Sequence, residues 1–141
     1  MLIVGNGHVI TRDAKNQYIP DGAVAMDGMK ICRVGQTAEI RRAFPDADFI
    51  DAKGGVIMPA FINTHEHIYS AMARGLNING YVPKGFLDIL NGLWWNIDCH
   101  LTNDLTYLSA METYVECIKN GVTTVFDHHA SFGEIKDSLF A

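Results

Sequence analysis

Short apolar stretches separated by glycine-containing turns fill the first third of the chain, and longer apolar blocks take over after Lys53-Gly54-Gly55. Four brief runs have the length and side-chain types of strands: Leu2 to Val4, His8 to Thr11, Ala23 to Met26 and Met29 to Val34. Asp27-Gly28 between the last two predicts a tight hairpin, because both central residues of a type I′ turn need positive φ. Gln36 to Phe44 predicts a short helix that stops before Pro45, and Phe49 to Asp51 predicts another strand. The pattern assigns residues 1–55 to a small β-rich module.

From Val56 to Asn63 the chain is almost continuously apolar, which predicts a strand buried on both faces, and it runs into Thr64-His65-Glu66-His67. The stretch to Leu101 mixes loop signals with an apolar block, Phe86 to Trp95; a connection of that length predicts a lid or a binding loop. Leu105, Leu108, Met111, Val115 and Ile118 then recur at spacings of three and four, placing them on one face of a helix. Thr102 or Asn103 can cap its start and Asn120-Gly121 its end. Val122 to Phe126 predicts a second buried strand, leading into Asp127-His128-His129. Strand, helix and strand in this order predict a parallel pair with a right-handed crossover. Gly133 to Ala141 predicts the opening of a further helix.

Composition narrows the function classes. With 141 residues, 48% hydrophobic and 19% charged, the chain can bury a core and is not a disordered tail. A net charge of −5 has the wrong sign for holding phosphate backbones, so no nucleic-acid partner is expected. The apolar residues after Met1 are interrupted by Gly5 and Gly7 without a preceding basic stretch, which argues against a signal peptide. The longest apolar run, Val56 to Ile62, is far below the roughly 20 residues of a membrane span, so no membrane partner is expected either. Cys32, Cys99 and Cys117 are an odd number without Cys-x-x-Cys spacing, which suits a reducing, cytoplasmic setting with all three as small buried hydrophobes.

The candidate chemistry begins at His65 and His67. Two residues apart on an extended segment, their side chains leave the same face and can converge on one point. Imidazole nitrogens suit zinc first and iron second, and a catalytic zinc usually takes three protein ligands and keeps one position for water. A bare His-x-His is common by chance. Its place at the C-terminal end of a buried parallel strand is what counts, because α/β barrels build their active sites there. Glu66 points the other way and reads as support or packing.

The words Val56-Ile57-Met58-Pro59-Ala60-Phe61-Ile62-Asn63-Thr64-His65-Glu66-His67, Ser70-Ala71-Met72-Ala73-Arg74-Gly75-Leu76 and Glu116 to Asp127 occur in an order that resembles the amidohydrolase superfamily, in its cytosine deaminase and chlorohydrolase-like branch. Within that branch, the Asn63-to-Leu76 wording and the Asp127-His128-His129 ending are most similar to the SsnA group of aminohydrolases. The resemblance implies an α/β fold: part of a composite β-sandwich over residues 1–55, then the start of a metal-dependent (β/α)8 TIM barrel over residues 56–141, incomplete in this chain. It also implies one divalent metal, zinc with iron as the competitor, held by His65 and His67, and hydrolysis of a C–N bond in a nitrogen heterocycle. Ala60 departs from the glycine usual after that proline, which bears on the local turn and not on the ligands.

Other positions follow the resemblance less closely. Asp98 stands where relatives carry an acid that can contact substrate, with a solvated or capping carboxylate the equal alternative. Trp94 and Trp95 can wall a pocket or belong to the core. His128 and His129 should face opposite ways by alternation; either can meet substrate, although a structural role is the default. Arg74 can orient substrate or form a surface pair, the latter favoured, and His8 and His100 read as ordinary polar residues.

A complete barrel takes roughly 250 residues, far more than lie beyond Val56. The third histidine ligand, the proton-shuttling groups and the last-strand aspartate of the family are therefore expected downstream, and no catalytic residue is assigned within this segment. The reading is an N-terminal piece of a longer enzyme acting on a small heterocycle, with a homo-oligomer open for the full-length protein. Chlorohydrolysis and cyclic-amide hydrolysis are the enzymatic alternatives, and a non-catalytic metal-binding or oligomerising remnant is the rival from another class. The 141-residue product on its own is expected to release no ammonia from purine, pyrimidine or triazine substrates; metal-dependent turnover by it would overturn the fragment reading.

Overall fold

The alternating N-terminal runs fold into one mixed sheet in the computed structural model, which describes residues 1–133. Strand β1 (Leu2–Ile10) pairs antiparallel with β2 (Tyr18–Asp27), and β2 with β3 (Lys30–Gln36). On the other edge of β1 run two parallel strands, β4 (Asp48–Asp51) beside Leu2 to Gly5 and β5 (Val56–Ile57) beside His8 and Val9. The chain divides into two units, Met1–Pro59 and Ala60–Ala141.

Where the sequence predicts two strands before Arg12, the structure has one. Gly5-Asn6-Gly7 stays within β1 through irregular register on either side of Gly7, and Asn6 takes a left-handed φ of 56° while its N–H donates to Thr37 Oγ1 at 2.9 Å. The irregularity separates the strand's apolar residues into two clusters. Ile3 joins Ala23, Ala25 and Ile40, the last from helix α1 (Thr37–Ala43), with Phe44, Ala47 and Phe49 against them. Val9 joins Ile19 and Val24 instead, with Met26 and Ile57 alongside. The β2–β3 hairpin forms as expected but one residue later: Asp27 pairs with Lys30, so Gly28 and Met29 are the central residues and only Gly28 has positive φ.

The single strand expected from Val56 to Asn63 is two. β5 belongs to the first sheet, Met58-Pro59-Ala60 breaks the ladder, and β6 (Phe61–Glu66) pairs in parallel with β7 (Val122–Asp127). Pro59 lacks the N–H that a continuous central strand would need. Helix α4 (Asn103–Lys119) links the parallel pair; Thr102 Oγ1 accepts the Leu105 N–H at its start, and Gly121 just past its end has φ 71°.

Burial of the two strands and of the cysteines differs from expectation. Phe61, Ile62 and Phe126 on β6 and β7 are exposed, because among the described residues each of these strands has only the other as a sheet neighbour. Leu105, Leu108, Met111, Val115 and Ile118 do share a face of α4, yet that face is exposed; the buried residues are Thr106, Ser109, Ala110 and Thr113. Small side chains let the 3₁₀ turn Ile68–Ala73 approach closely, and Ser109 Oγ accepts the Met72 N–H at 3.2 Å. The cysteines are not buried: Cys32 lies on edge strand β3, whose residues are nearly all exposed, Cys99 is exposed shortly before α4, and Cys117 is half-buried on α4.

The apolar block of the long connection is helical. It comprises α2 (Phe86–Ile89), a π turn (Leu90–Trp94) and α3 (Trp95–Asp98). Gly92 makes room for the Tyr81 ring, since a Cβ there would stand 2.4 Å from Tyr81 Cε2. The helix expected from Gly133 lies outside the described residues. Among those residues no helix is long and apolar enough to cross a membrane.

Ile40 is fully buried at the centre of the first cluster. Ile40→Ala is expected to lower stability by about 2–5 kcal/mol and Ile40→Val by about 0.5–1.5 kcal/mol, measured by denaturant unfolding. Equal effects from the two variants would show that this site does not pack as described.

Candidate metal centre and adjoining cavity

The end of β6 is stiffened before any ring is placed. Asn63 Oδ1 accepts the His65 N–H at 3.2 Å, Glu66 Oε1 accepts the His67 N–H at 3.0 Å, and Asn63 Nδ2 donates to Glu66 Oε2 at 2.6 Å. Glu66 thus supports the backbone on which the two histidines sit, and its carboxylate is occupied in doing so.

His65 and His67 bring their Nε2 atoms to 3.3 Å from each other, with ring planes at 67°. Zinc–nitrogen bonds of about 2.0–2.1 Å at tetrahedral angles require an N···N separation of roughly 3.3–3.4 Å, so the two rings fit two corners of such a site. The second nitrogen of His67 supports the same role: Nδ1 donates to the His128 carbonyl at 2.8 Å, which leaves Nε2 as the bare lone pair. Among the described residues, no group of three or more His, Cys, Asp and Glu side chains is arranged to hold a metal. Among these residues the donor set is therefore a pair.

Next to this pair lies a cavity of about 390 Å³. His67, Tyr69, Trp94, Trp95, Asp98 and His128 line it, with Phe86 and Leu90 adding apolar surface. Of the sequence candidates for substrate contact, Asp98, Trp94 and His128 come together here with His67, while His129 does not line the cavity. The ring of His128 lies 4.4 Å from that of His65, and its Nε2 is 3.4 Å from the Thr64 carbonyl. His129 instead bonds Asp127 and Ser131 and packs on Tyr69 at 4.8 Å. Arg74 pairs with Glu112 at 3.4 Å on the exposed surface, His100 Nδ1 donates to Asn96 O, and His8 bonds the Tyr18 hydroxyl.

Asp98 is 3% exposed, and its Oδ1 has no hydrogen-bond partner among the described residues. Burial pushes its carboxyl above the ordinary range, against the opposing pull of His67 and His129. Tyr69, also buried, has its hydroxyl pushed up to about 12, first by burial and then by the negative charges of Asp98 and Asp127. Sequence reasoning passed over Tyr69 and Ser131. Tyr69 stands two residues after His67 but within a 3₁₀ turn, where strand alternation no longer says which way a side chain points.

The chain is similar to known proteins over most of its length. Residues 56–138 match the amidohydrolase family, and residues 22–47 match an imidazolonepropionase-like composite domain of bacteria. The chain is 29% identical over 134 residues to the 5'-deoxyadenosine deaminase of Methanococcoides burtonii, covering 95% of this chain and 29% of that protein. It is 30% identical over 127 residues to the 5-methylthioadenosine/S-adenosylhomocysteine deaminase 1 of Syntrophus aciditrophicus, covering 89% of this chain and 28% of that protein. Among solved structures, the atrazine chlorohydrolase TrzN from Arthrobacter aurescens TC1 complexed with zinc superposes with a TM-score of 0.75 at 25% identity, covering 99% of this chain and 32% of that one. The chain spans about three tenths of the length of the curated relatives it matches.

The raised carboxyl of Asp98 has a consequence for stability. A folded-state value above the ordinary 3.8 means that the folded chain holds this proton more tightly than the unfolded one. The Asp98 contribution therefore favours folding below 3.8 and is lost as pH rises through the raised folded value. Asp98→Asn is expected to flatten this fall and to leave the protein more stable at neutral pH, read by urea unfolding from about pH 4 to about pH 8. A variant less stable than the parent across that whole range would contradict it.

Proposed function

Since the chain belongs to the amidohydrolase family, we propose that the whole protein is a metal-dependent aminohydrolase that hydrolyses a C–N bond of a nitrogen heterocycle, of the adenosine-derivative kind named for its relatives. The observation that carries this reading is the convergence of His65 and His67 at 3.3 Å beside an aromatic cavity. His65 and His67 hold a divalent ion through Nε2, zinc in the first place and iron in the second. When bound, that ion supplies Lewis-acid chemistry, lowering the pKa of water so that a nucleophile is available near neutral pH.

The remaining steps belong to side chains. The His128 carbonyl keeps the Nδ1 proton on His67 and so keeps Nε2 free to ligate. Trp94 and Trp95 offer flat apolar walls against which a heterocycle can lie, excluding water from one side of the ring. Asp98 Oδ1, buried and unpartnered, takes a hydrogen bond from the substrate that it lacks in its absence, which repays part of the cost of its burial. His128, exposed at the rim, meets the substrate beside His65. His129 is assigned no substrate contact. The proton-moving groups of the family are not among these residues, and the resemblance puts them on later strands.

A second reading, displacement of chloride from a triazine, draws on the TM-score of 0.75 to the atrazine chlorohydrolase. The choice is made by product analysis on the full-length protein with 5'-deoxyadenosine, 5-methylthioadenosine and a chlorotriazine. The expected outcome is ammonia release that falls by at least ~100-fold in His65→Ala and His67→Ala and on zinc chelation. Chloride release without ammonia would favour the second reading, and ammonia release that persists in both variants would remove His65 and His67 from the site.

A further inference from the structure

The two ends of β6 and β7 are fastened to each other around His67. On one side of it, the Glu66 carbonyl accepts the His128 N–H at 2.8 Å; on the other, the Ile68 N–H donates to Asp127 Oδ1 at 3.1 Å; and the ring itself donates to the His128 carbonyl at 2.8 Å. All three bonds end on Asp127 or His128. The Asp127 carboxylate has a second engagement, with Oδ2 accepting the His129 Nδ1–H at 2.7 Å, and His129 Nε2 in turn accepts the Ser131 hydroxyl at 2.6 Å. These side chains are largely withdrawn from solvent, with 13% exposure for His129, 18% for Asp127 and 3% for Ser131.

An Asp-His-Ser row at hydrogen-bond distances is the arrangement that activates a serine nucleophile in hydrolases. Here the hydroxyl is buried, and Ser131 lines neither of the two cavities that His67 borders, so it is not placed to attack a ligand there. What the row can do is fix a rotamer. With Nδ1–H directed at Oδ2 and Nε2 satisfied by Ser131, the His129 ring has one orientation, and its packing on Tyr69 at 4.8 Å closes off the alternative. That ring orients the carboxylate, which holds the Ile68 N–H and thereby the chain leaving His67.

We propose that Asp127, His129 and Ser131 form a positioning brace that holds His67 in its ligating orientation and so sets the metal affinity of the site. The proposal rests on the reading of His65 and His67 as metal ligands. None of the three touches the reacting atoms; each acts through the backbone on both sides of His67 and through the carbonyl that accepts from its ring.

The test is zinc affinity of the protein, measured by competition with a chromophoric chelator, alongside the proton–nitrogen NMR signal of His67 Nδ1–H. His129→Phe keeps an aromatic ring against Tyr69 but loses both hydrogen bonds, and Ser131→Ala loses one. His129→Phe is expected to weaken zinc binding roughly 10–100-fold and to broaden the Nδ1–H signal, Ser131→Ala to do so by less, and Ser131→Thr, which restores the hydroxyl, to return both toward the parent. Thermal unfolding reports whether each variant folds. If His129→Phe does not fold, the Ser131→Ala and Ser131→Thr pair decides the same question. Folded variants with parental zinc affinity, in a protein whose His67→Ala variant has lost zinc, would overturn the brace alone. Parental zinc affinity in His67→Ala would overturn the metal reading beneath it.

Discussion

The site depends on the parallel pairing of β6 with β7. Glu66 stands opposite Asp127, and the His128 N–H continues the ladder into the Glu66 carbonyl at 2.8 Å. Without that register the His128 carbonyl would not meet the His67 ring and the Asp127 carboxylate would not meet the Ile68 N–H. A slip of one residue would also turn the side chains of one strand to the opposite face, separating His128 from His65. The histidines are the visible chemistry, but the geometry that lets them act together comes from a neighbouring strand that contributes carbonyl and carboxylate oxygens.

Polarity around the pair is distributed to the same end. Glu66 spends its charge on the backbone N–H of His67 and the amide of Asn63, so it does not compete as an acceptor for the ring. Asp127 spends its charge on Ile68 and His129. Among the described residues, Asp98 is left with an unmatched carboxyl oxygen, and it lines the same cavity as Trp94, Trp95, His67 and His128. In a cavity otherwise lined by rings and aliphatic side chains, the proposed substrate contact would fall on that oxygen, because a ligand lacking a matching group would leave its burial uncompensated.

Much of this was legible in the residues. His65 and His67 announce themselves by alternation at the end of an apolar run, and α4 by its period, its Thr102 cap and its Asn120-Gly121 stop. What could not be read is which partner each apolar face meets. The stripe Leu105, Leu108, Met111, Val115 and Ile118 has the right spacing, yet the face against the 3₁₀ turn is the one with Thr106, Ser109, Ala110 and Thr113, because close approach there favours small side chains over apolar ones. Periodicity reports that a helix has two unlike faces and is silent about closeness. The run from Val56 divides into two strands for a related reason: hydrophobicity runs through Pro59 without a pause, whereas hydrogen bonding does not. Nothing in the sequence distinguishes His129 from His128; the bonds of His129 to Asp127 and Ser131, which engage both of its ring nitrogens, do.

The bond from the His67 ring to the His128 carbonyl spans 61 residues of chain. Two histidines two residues apart exist in the unfolded polypeptide as well, where they can meet an ion with floppy, undirected rings. A pair with one nitrogen committed to a carbonyl exists only when the long connection and α4 have returned the chain to β6, and closing such a loop carries an entropic cost. Whatever ligand prefers the ordered pair to the loose one therefore draws that preference from the closed crossover and returns it as a force holding the crossover closed. Occupancy of the histidines and completion of the fold become two readings of a single equilibrium.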